Sequence, residues 1–215
     1  MDQLRNRGYR NVPPYFFKNM KTIICDIDGI ITNMWPIEKS VLLYMTDKKF
    51  DEEIERLKLS GISDTFKIFS KFSKRRIGRK KYTYFYNKSF LTLLEKDLLP
   101  KLEIYPLVNW ALKNKNNYHF VYATGGQKLE TEYVLENLGL IKCFDIINSV
   151  NKTTCRFSKR TGIPFRKIKS KFSDCIIIAD SENDRRGAMA ANIPFISVKP
   201  GAINMPRIDS SCQII

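Results

Sequence analysis

The run Ile23-Ile24-Cys25-Asp26-Ile27-Asp28-Gly29-Ile30-Ile31-Thr32 constrains this chain more than any other stretch. An apolar segment that closes on two carboxylates one residue apart is hard to account for by packing alone. Side chains of an extended strand repeat every two residues, so Asp26 and Asp28 would project from one side, about 7 Å apart along it. Gly29 then lets the backbone turn away, which leaves both acids at the carboxyl edge of a sheet, where open α/β folds place their ligands. Two such anions repel, and one takes up a proton unless a cation lies between them; Mg²⁺, a hard ion that favours oxygen, answers that need. The simpler reading is a strand-to-turn junction in which the two Asp side chains cap neighbouring N–H groups.

The chain after this run divides into two rhythms. Residues 34–100 lack strand-helix alternation and read as mostly helical. Asp51, Glu52 and Glu53 open a helix that runs through Ile54, Leu57 and Leu59 to a stop at Gly61. Phe66, Phe69 and Phe72 recur at helical spacing, and Phe90, Leu91, Leu93, Leu94 and Leu98 line another helix closed by Pro100. Between them Lys71 to Lys81 is strongly basic and is followed by Tyr82, Tyr84, Phe85 and Tyr86, a core stripe or a short strand.

From Leu102 onward strands and helices alternate. His119 to Ala123 predicts a strand ending in Thr124-Gly125-Gly126, Gln127 to Leu138 an amphipathic helix stopped by Gly139, and Phe144 to Val150 the next strand, with Lys152 just beyond. Cys175 to Ala179 predicts a further strand that runs into Asp180-Ser181-Glu182-Asn183-Asp184 and a helix of small residues, and Phe195 to Val198 the last strand. Short connections between such units imply a parallel, doubly wound sheet.

Taken together, the ends of these strands resemble the haloacid dehalogenase (HAD) superfamily, most of whose members are Mg²⁺-dependent phosphatases. Asp26-Ile27-Asp28-Gly29 resembles its motif I, Val121-Tyr122-Ala123-Thr124 its motif II and Asp180-Ser181-Glu182-Asn183-Asp184 its motif IV, in the required order. Motif III is a lone lysine, for which Lys152 fits best by position and Lys159 is the alternative. The resemblance implies a Rossmann-like HAD core over 21–33 and 101–215, an inserted helical cap over 34–100 and a basic N-terminal extension over 1–20. It implies that Asp26 is the nucleophile that forms an aspartyl-phosphate and that Asp28 is the acid and base. Thr124, Gly125, Gly126 and Lys152 would bind phosphate, with Lys152 also neutralising Asp26. Asp26, the Ile27 carbonyl, Asp180 and Asp184 would hold Mg²⁺. Position 30 departs from the pattern, being Ile where many members have Thr.

Composition narrows the partners. A formal net charge of +15 in 215 residues implies an anionic partner. A phosphorylated small molecule or phosphoprotein, phosphotyrosine included, satisfies it, and so does nucleic acid or an acidic membrane surface met by Lys71 to Lys81. The sequence has neither a membrane-length apolar run nor a secretory signal pattern, which points to the cytoplasm, with peripheral membrane association left open by the charge. Five cysteines without Cys-x-x-Cys spacing suggest neither a disulfide framework nor a zinc site. No cysteine is followed six residues later by the Arg that cysteine phosphatases resemble one another in having. His119, the only histidine, lies within a strand and reads as structural.

Overall fold

The computed structural model describes residues 20–73 and 76–200. The expected N-terminal extension lies outside the described residues up to position 19, as do Lys74 and Arg75 of the basic tract. Strands β1 (Thr22–Cys25), β2 (His119–Tyr122), β3 (Cys175–Ala179) and β4 (Phe195–Ser197) form one parallel sheet in the order β2-β1-β3-β4. Ile24 of β1 stands opposite Val121 on one side and Ile177 on the other. What leaves the carboxyl end of β1 therefore emerges between the ends of β2 and β3.

The unbroken apolar runs follow from burial of both sheet faces. Ile23 and Cys25 pack on one face with Phe120, Tyr122, Ile176 and Ile178, while Ile24 packs on the other with Val121, Ile177 and Ala179. Helices α1 (Trp35–Met45), α4 (Arg79–Glu95), α5 (Pro106–Asn114) and α6 (Lys128–Asn137) feed the first face; α7 (Ile163–Lys169) and α8 (Glu182–Ala191) cover the second. Each large side chain so buried contributes about 1.5–3 kcal/mol. This is the doubly wound α/β fold expected from the alternation.

Helices α1, α2 (Asp51–Leu59), α3 (Thr65–Phe72) and α4 all fall between β1 and α5. Leu42, Ile54 and Ile68 form a small cluster of their own there. Asp64 caps α3 by accepting the Phe66 N–H at 3.1 Å. Helix α4 does something different: Tyr82, Tyr86, Phe90 and Leu93, at helical spacing, join the main core, and Phe90 meets Tyr133 of α6 edge-on. The aromatic stretch is thus the buried stripe of a helix, not a strand, with Tyr84 and Phe85 turned outward. The helix also ends earlier than Pro100 suggests, at Glu95, and Leu98 lies exposed beyond it.

The expected strand over Phe144 to Val150 is replaced by two isolated bridges, Phe120 to Phe144 and Ala123 to Val150. Between them side chains, not a strand ladder, supply hydrogen bonds to the chain. Asp145 Oδ1 accepts the Asn148 N–H at 3.0 Å, and Ser149 Oγ donates to the Asp145 carbonyl at 2.6 Å while accepting the Tyr122 N–H. His119 is buried between Thr22 and Asp145.

In the basic tract Arg79 is already matched, since it forks onto Asp64 at 2.9 Å and lies over the Phe66 ring. Lys71, Arg76, Lys80 and Lys81 are exposed. Among the described residues no helix is long and apolar enough to cross a membrane. Cys25, Cys143, Cys155 and Cys175 are free thiols, and burial pushes the Cys25 thiol far above its ordinary value, so it is inert.

Candidate active site

Motif I is shaped by its own backbone. The Asp26 N–H donates to Ile178 of β3 at 3.1 Å, continuing the ladder, and its Oδ1 accepts the Ile27 N–H at 2.8 Å. The chain then reverses: Gly29 adopts φ +79°, its N–H donates to the Thr32 carbonyl, and Ile31 and Thr32 donate to the Ile27 carbonyl at 3.0 and 3.3 Å. That carbonyl, the expected backbone metal ligand, thus accepts two N–H groups of the turn. Asp28 Oδ1 accepts the Met34 N–H at 2.9 Å, which points this carboxyl toward the start of α1.

Asp26, Asp180 and Asp184 each offer a carboxylate oxygen within 4.8 Å of the others, a grouping that could hold a metal ion. They come from three elements: the end of β1, the end of β3 and the first turn of α8. Ser181 caps that helix, accepting the Asp184 N–H at 3.2 Å and donating to the Asp184 carboxylate. Gly29 is what lets Asp180 approach. A Cβ at position 29 would lie 2.3 Å from Asp180 Oδ2, and the positive φ is strained for any other residue.

The lysine on the carboxylates is Lys159. Its Nζ lies 2.5 Å from Asp26 Oδ2 and 2.8 Å from Asp184 Oδ1. Among the described residues no ion pair joins Lys152 to Asp26; instead Lys152 acts on Asp64, at the start of α3. A 3-10 turn at Lys159–Thr161 packs against α8 and brings Lys159 to the carboxylates, whereas Lys152 is tied through its N–H to the Gly126 carbonyl. A Cβ on Gly187 of α8 would come 2.1 Å from the Lys159 carbonyl oxygen, so only glycine permits this packing. Arg166 donates to the Ala190 carbonyl at 2.6 Å and Lys169 to the Asn192 carbonyl, holding the end of α8 to α7.

Electrostatics show an excess of negative charge at this point. Burial and then repulsion by Asp184 lift Asp26 to about 7, against the pull of Lys159. Burial, with Asp28 and Asp184 adding, raises Asp180. Burial alone would lower Lys159, but Asp26 and Asp184 reverse that and hold it charged. One ammonium does not balance three carboxylates, and an all-oxygen donor set suits a hard divalent cation.

Thr124 continues from β2 beside β1, its N–H donating to the Val150 carbonyl at 2.9 Å and its Oγ1 accepting the Gly126 N–H at 3.1 Å. Its hydroxyl proton is left to donate elsewhere. Gly125 faces open space, and the Gly126 carbonyl accepts the Lys152 N–H at 3.1 Å, tying the two loops together. Sequence reasoning passed over two carboxyls on which Asp28 acts, Glu38 of α1 and Glu130 of α6. A glutamate at an apolar position of α6, beside Thr131, Val134 and Leu135, was the available signal.

Residues 23–198 match the sequence pattern of a family described as haloacid dehalogenase-like hydrolase. This chain belongs to that family. The HAD assignment makes it a hydrolase, and solved structures agree on the fold. A HAD hydrolase of family IA, variant 3, from Entamoeba histolytica is 18% identical, with 83% of this chain and 84% of that chain covered and a TM-score of 0.65. A predicted phosphoglycolate phosphatase from Haemophilus somnus is 18% identical over 87% and 89%, with a TM-score of 0.64. A putative beta-phosphoglucomutase from Thermotoga maritima is 16% identical over 90% and 89%, with a TM-score of 0.58. No protein of curated function matches the sequence.

For this HAD hydrolase, Gly29→Ala is expected to displace Asp180, because the added carbon overlaps its carboxylate. Where turnover depends on Mg²⁺, the concentration for half-maximal activity should rise at least about tenfold, the size of a misplaced ligand contact. A Mg²⁺ titration of activity checks this; an unchanged midpoint would mean that Asp180 does not serve a metal.

Proposed function

We propose that the chain is a Mg²⁺-dependent phosphatase that hydrolyses a phosphate monoester through an aspartyl-phosphate on Asp26. The observation that carries this reading is Asp26 in contact with Lys159 and grouped with Asp180 and Asp184, while Asp28 is turned aside onto Met34. Lys159 pulls the Asp26 carboxyl toward its ionised form against the burial that lifts it to about 7, and the ionised carboxylate can attack phosphorus. The bond from phosphorus to the leaving oxygen then breaks, and Asp28 would give that oxygen its proton. In the second step Asp28 would take a proton from water as the water attacks the phosphoryl group, which frees phosphate and restores Asp26. Thr124 and the N–H of Gly125 would donate to the equatorial oxygens, and Lys159 would neutralise their charge.

Asp26, Asp180 and Asp184 would hold Mg²⁺, which when bound supplies charge neutralisation between carboxylates and phosphate. Helices α1 to α4 would act as a cap. Because Tyr82, Tyr86 and Phe90 bind this segment into the core, a small phosphate ester suits the site better than a phosphoprotein. The phosphate-ester names of two structural neighbours and the net charge of +15 fit that substrate class.

Phosphate release from p-nitrophenyl phosphate and a panel of small monoesters tests the proposal. Activity is expected with Mg²⁺, is lost in excess chelator and returns when Mg²⁺ is restored in excess. Full turnover in chelator would contradict the metal, and no release from any ester would contradict the phosphatase reading.

A further inference from the structure

The loop that follows β2 carries three successive N–H groups, at Gly125, Gly126 and Gln127, and side chains take up two of them. Thr124 Oγ1 accepts that of Gly126 at 3.1 Å, and Glu130 Oε1, from the first turn of α6, accepts that of Gln127 at 3.3 Å. Among the described residues the Gly125 N–H has no partner, and its Cα faces open space. Glu130 is 2% exposed and stands with Thr131, Val134 and Leu135 on the buried side of α6. A carboxyl is costly in such a place unless its oxygens are matched. Here it takes the loop, and it also meets the Tyr86 hydroxyl of α4. The fit is close, since a Cβ on Gly126 would lie 3.0 Å from Glu130 Oε1, 3.3 Å from Thr131 Oγ1 and 3.4 Å from Thr124 Oγ1.

We propose that Glu130 is a positioning residue for phosphate, holding the turn over 124–127 in the shape that leaves the Gly125 N–H and the Thr124 hydroxyl proton for the phosphoryl oxygens. This rests on the phosphatase reading above. The Gln127 N–H is one of the donors that the start of a helix leaves without a backbone partner. An apolar residue at position 130 would release it, and the turn would lose its hold on the α6 side while Thr124 kept the other. Donors fixed before an anion arrives bind it without reorganising, which is what the grip of Glu130 supplies. The turn uses an acceptor and not a charge, because an anion near the loop brings no attraction to phosphate. An amide oxygen at the same place accepts the same N–H, and its NH₂ group can donate to the Tyr86 oxygen.

The full chain with Mg²⁺ is assayed on p-nitrophenyl phosphate, with inorganic phosphate as a competitive inhibitor that probes the loop apart from any leaving group. Glu130→Leu keeps bulk at the buried position but accepts nothing, and it should raise KM and the phosphate inhibition constant together by about tenfold. Glu130→Gln should keep both within about threefold of the parent. Val134→Ala hollows the core on the same helix, so it should lower the melting temperature while leaving the inhibition constant in place. Should Glu130→Leu not fold, Gly126→Ala gives the same reading: its methyl presses on a carboxyl that packing holds still, and the inhibition constant should rise about threefold or more. An unchanged inhibition constant in the folded variant, a loss for Glu130→Gln as large as for Glu130→Leu, or a comparable rise for Val134→Ala overturns the assignment and leaves the phosphatase reading intact. If the parent chain releases phosphate from no ester, both fall.

Discussion

Asp26→Asn should lower phosphate release by at least about 10⁴-fold, the scale on which hydrolases lose rate with their nucleophile. An amide of nearly the same shape fills the same space, so packing against Cys25 and Ile27 is kept, but it has no anionic oxygen to attack phosphorus. The protein should stay folded. Asp26 is buried and strained electrostatically toward its neutral form, so a neutral replacement removes repulsion with Asp184 as well as the pair with Lys159, and these oppose each other. A melting temperature within a few degrees of the parent, together with loss of turnover, is the expected pair of results. Normal turnover would remove Asp26 from the chemistry.

The second large effect separates the two motif III lysines. Lys159→Ala leaves Asp26, Asp180 and Asp184 facing one another without their ammonium. Breaking a buried ion pair from one side costs about 3–5 kcal/mol, so the metal-free protein should lose about that much stability in urea, and Mg²⁺ should return part of it by binding the folded state. Turnover should fall at least about 10²-fold, since a positioned charge on the transferred group is gone. Lys152→Ala should change kcat/KM less than about tenfold, because its field falls on Asp64 at the helical segment rather than on Asp26. Paired urea melts and kinetics on the two variants check this. A larger loss for Lys152→Ala than for Lys159→Ala would reverse the assignment.

The difference between those lysines shows what a sequence can and cannot carry. The β1, β2 and β3 runs were legible because burial on both faces demands unbroken apolar residues, and the acids after β1 and β3 were legible because strand ends fix their place. Lys152 and Lys159 both follow the expected strand over Phe144 to Val150, and local pattern favours the nearer one. That strand fails because the Asp145 and Ser149 side chains bond nearby backbone groups and the Asn148 amide bonds the Asp145 carboxylate, a competition invisible to an apolar count. Lys159 reaches Asp26 through a contact across the chain, the bare Cα of Gly187 against the Lys159 carbonyl. The two N–H groups that the Gly29 turn brings to the Ile27 carbonyl likewise become plain only when the turn is seen. Glu38 and Glu130 read as ordinary helix residues, and only the packing of α1 and α4 over α6 turns them toward Asp28.

The most direct test of the account is to trap the covalent intermediate. Asp28→Asn should slow the second step more than the first, because removing the base leaves the attacking water unactivated. Acid quenching of this variant during turnover of p-nitrophenyl phosphate with Mg²⁺, followed by peptide mass spectrometry, reads where the phosphoryl group sits. One phosphoryl group on Asp26, absent when Asp26 is also replaced by Asn, is the predicted result. Phosphate release without any adduct, or an adduct on another residue, would contradict it.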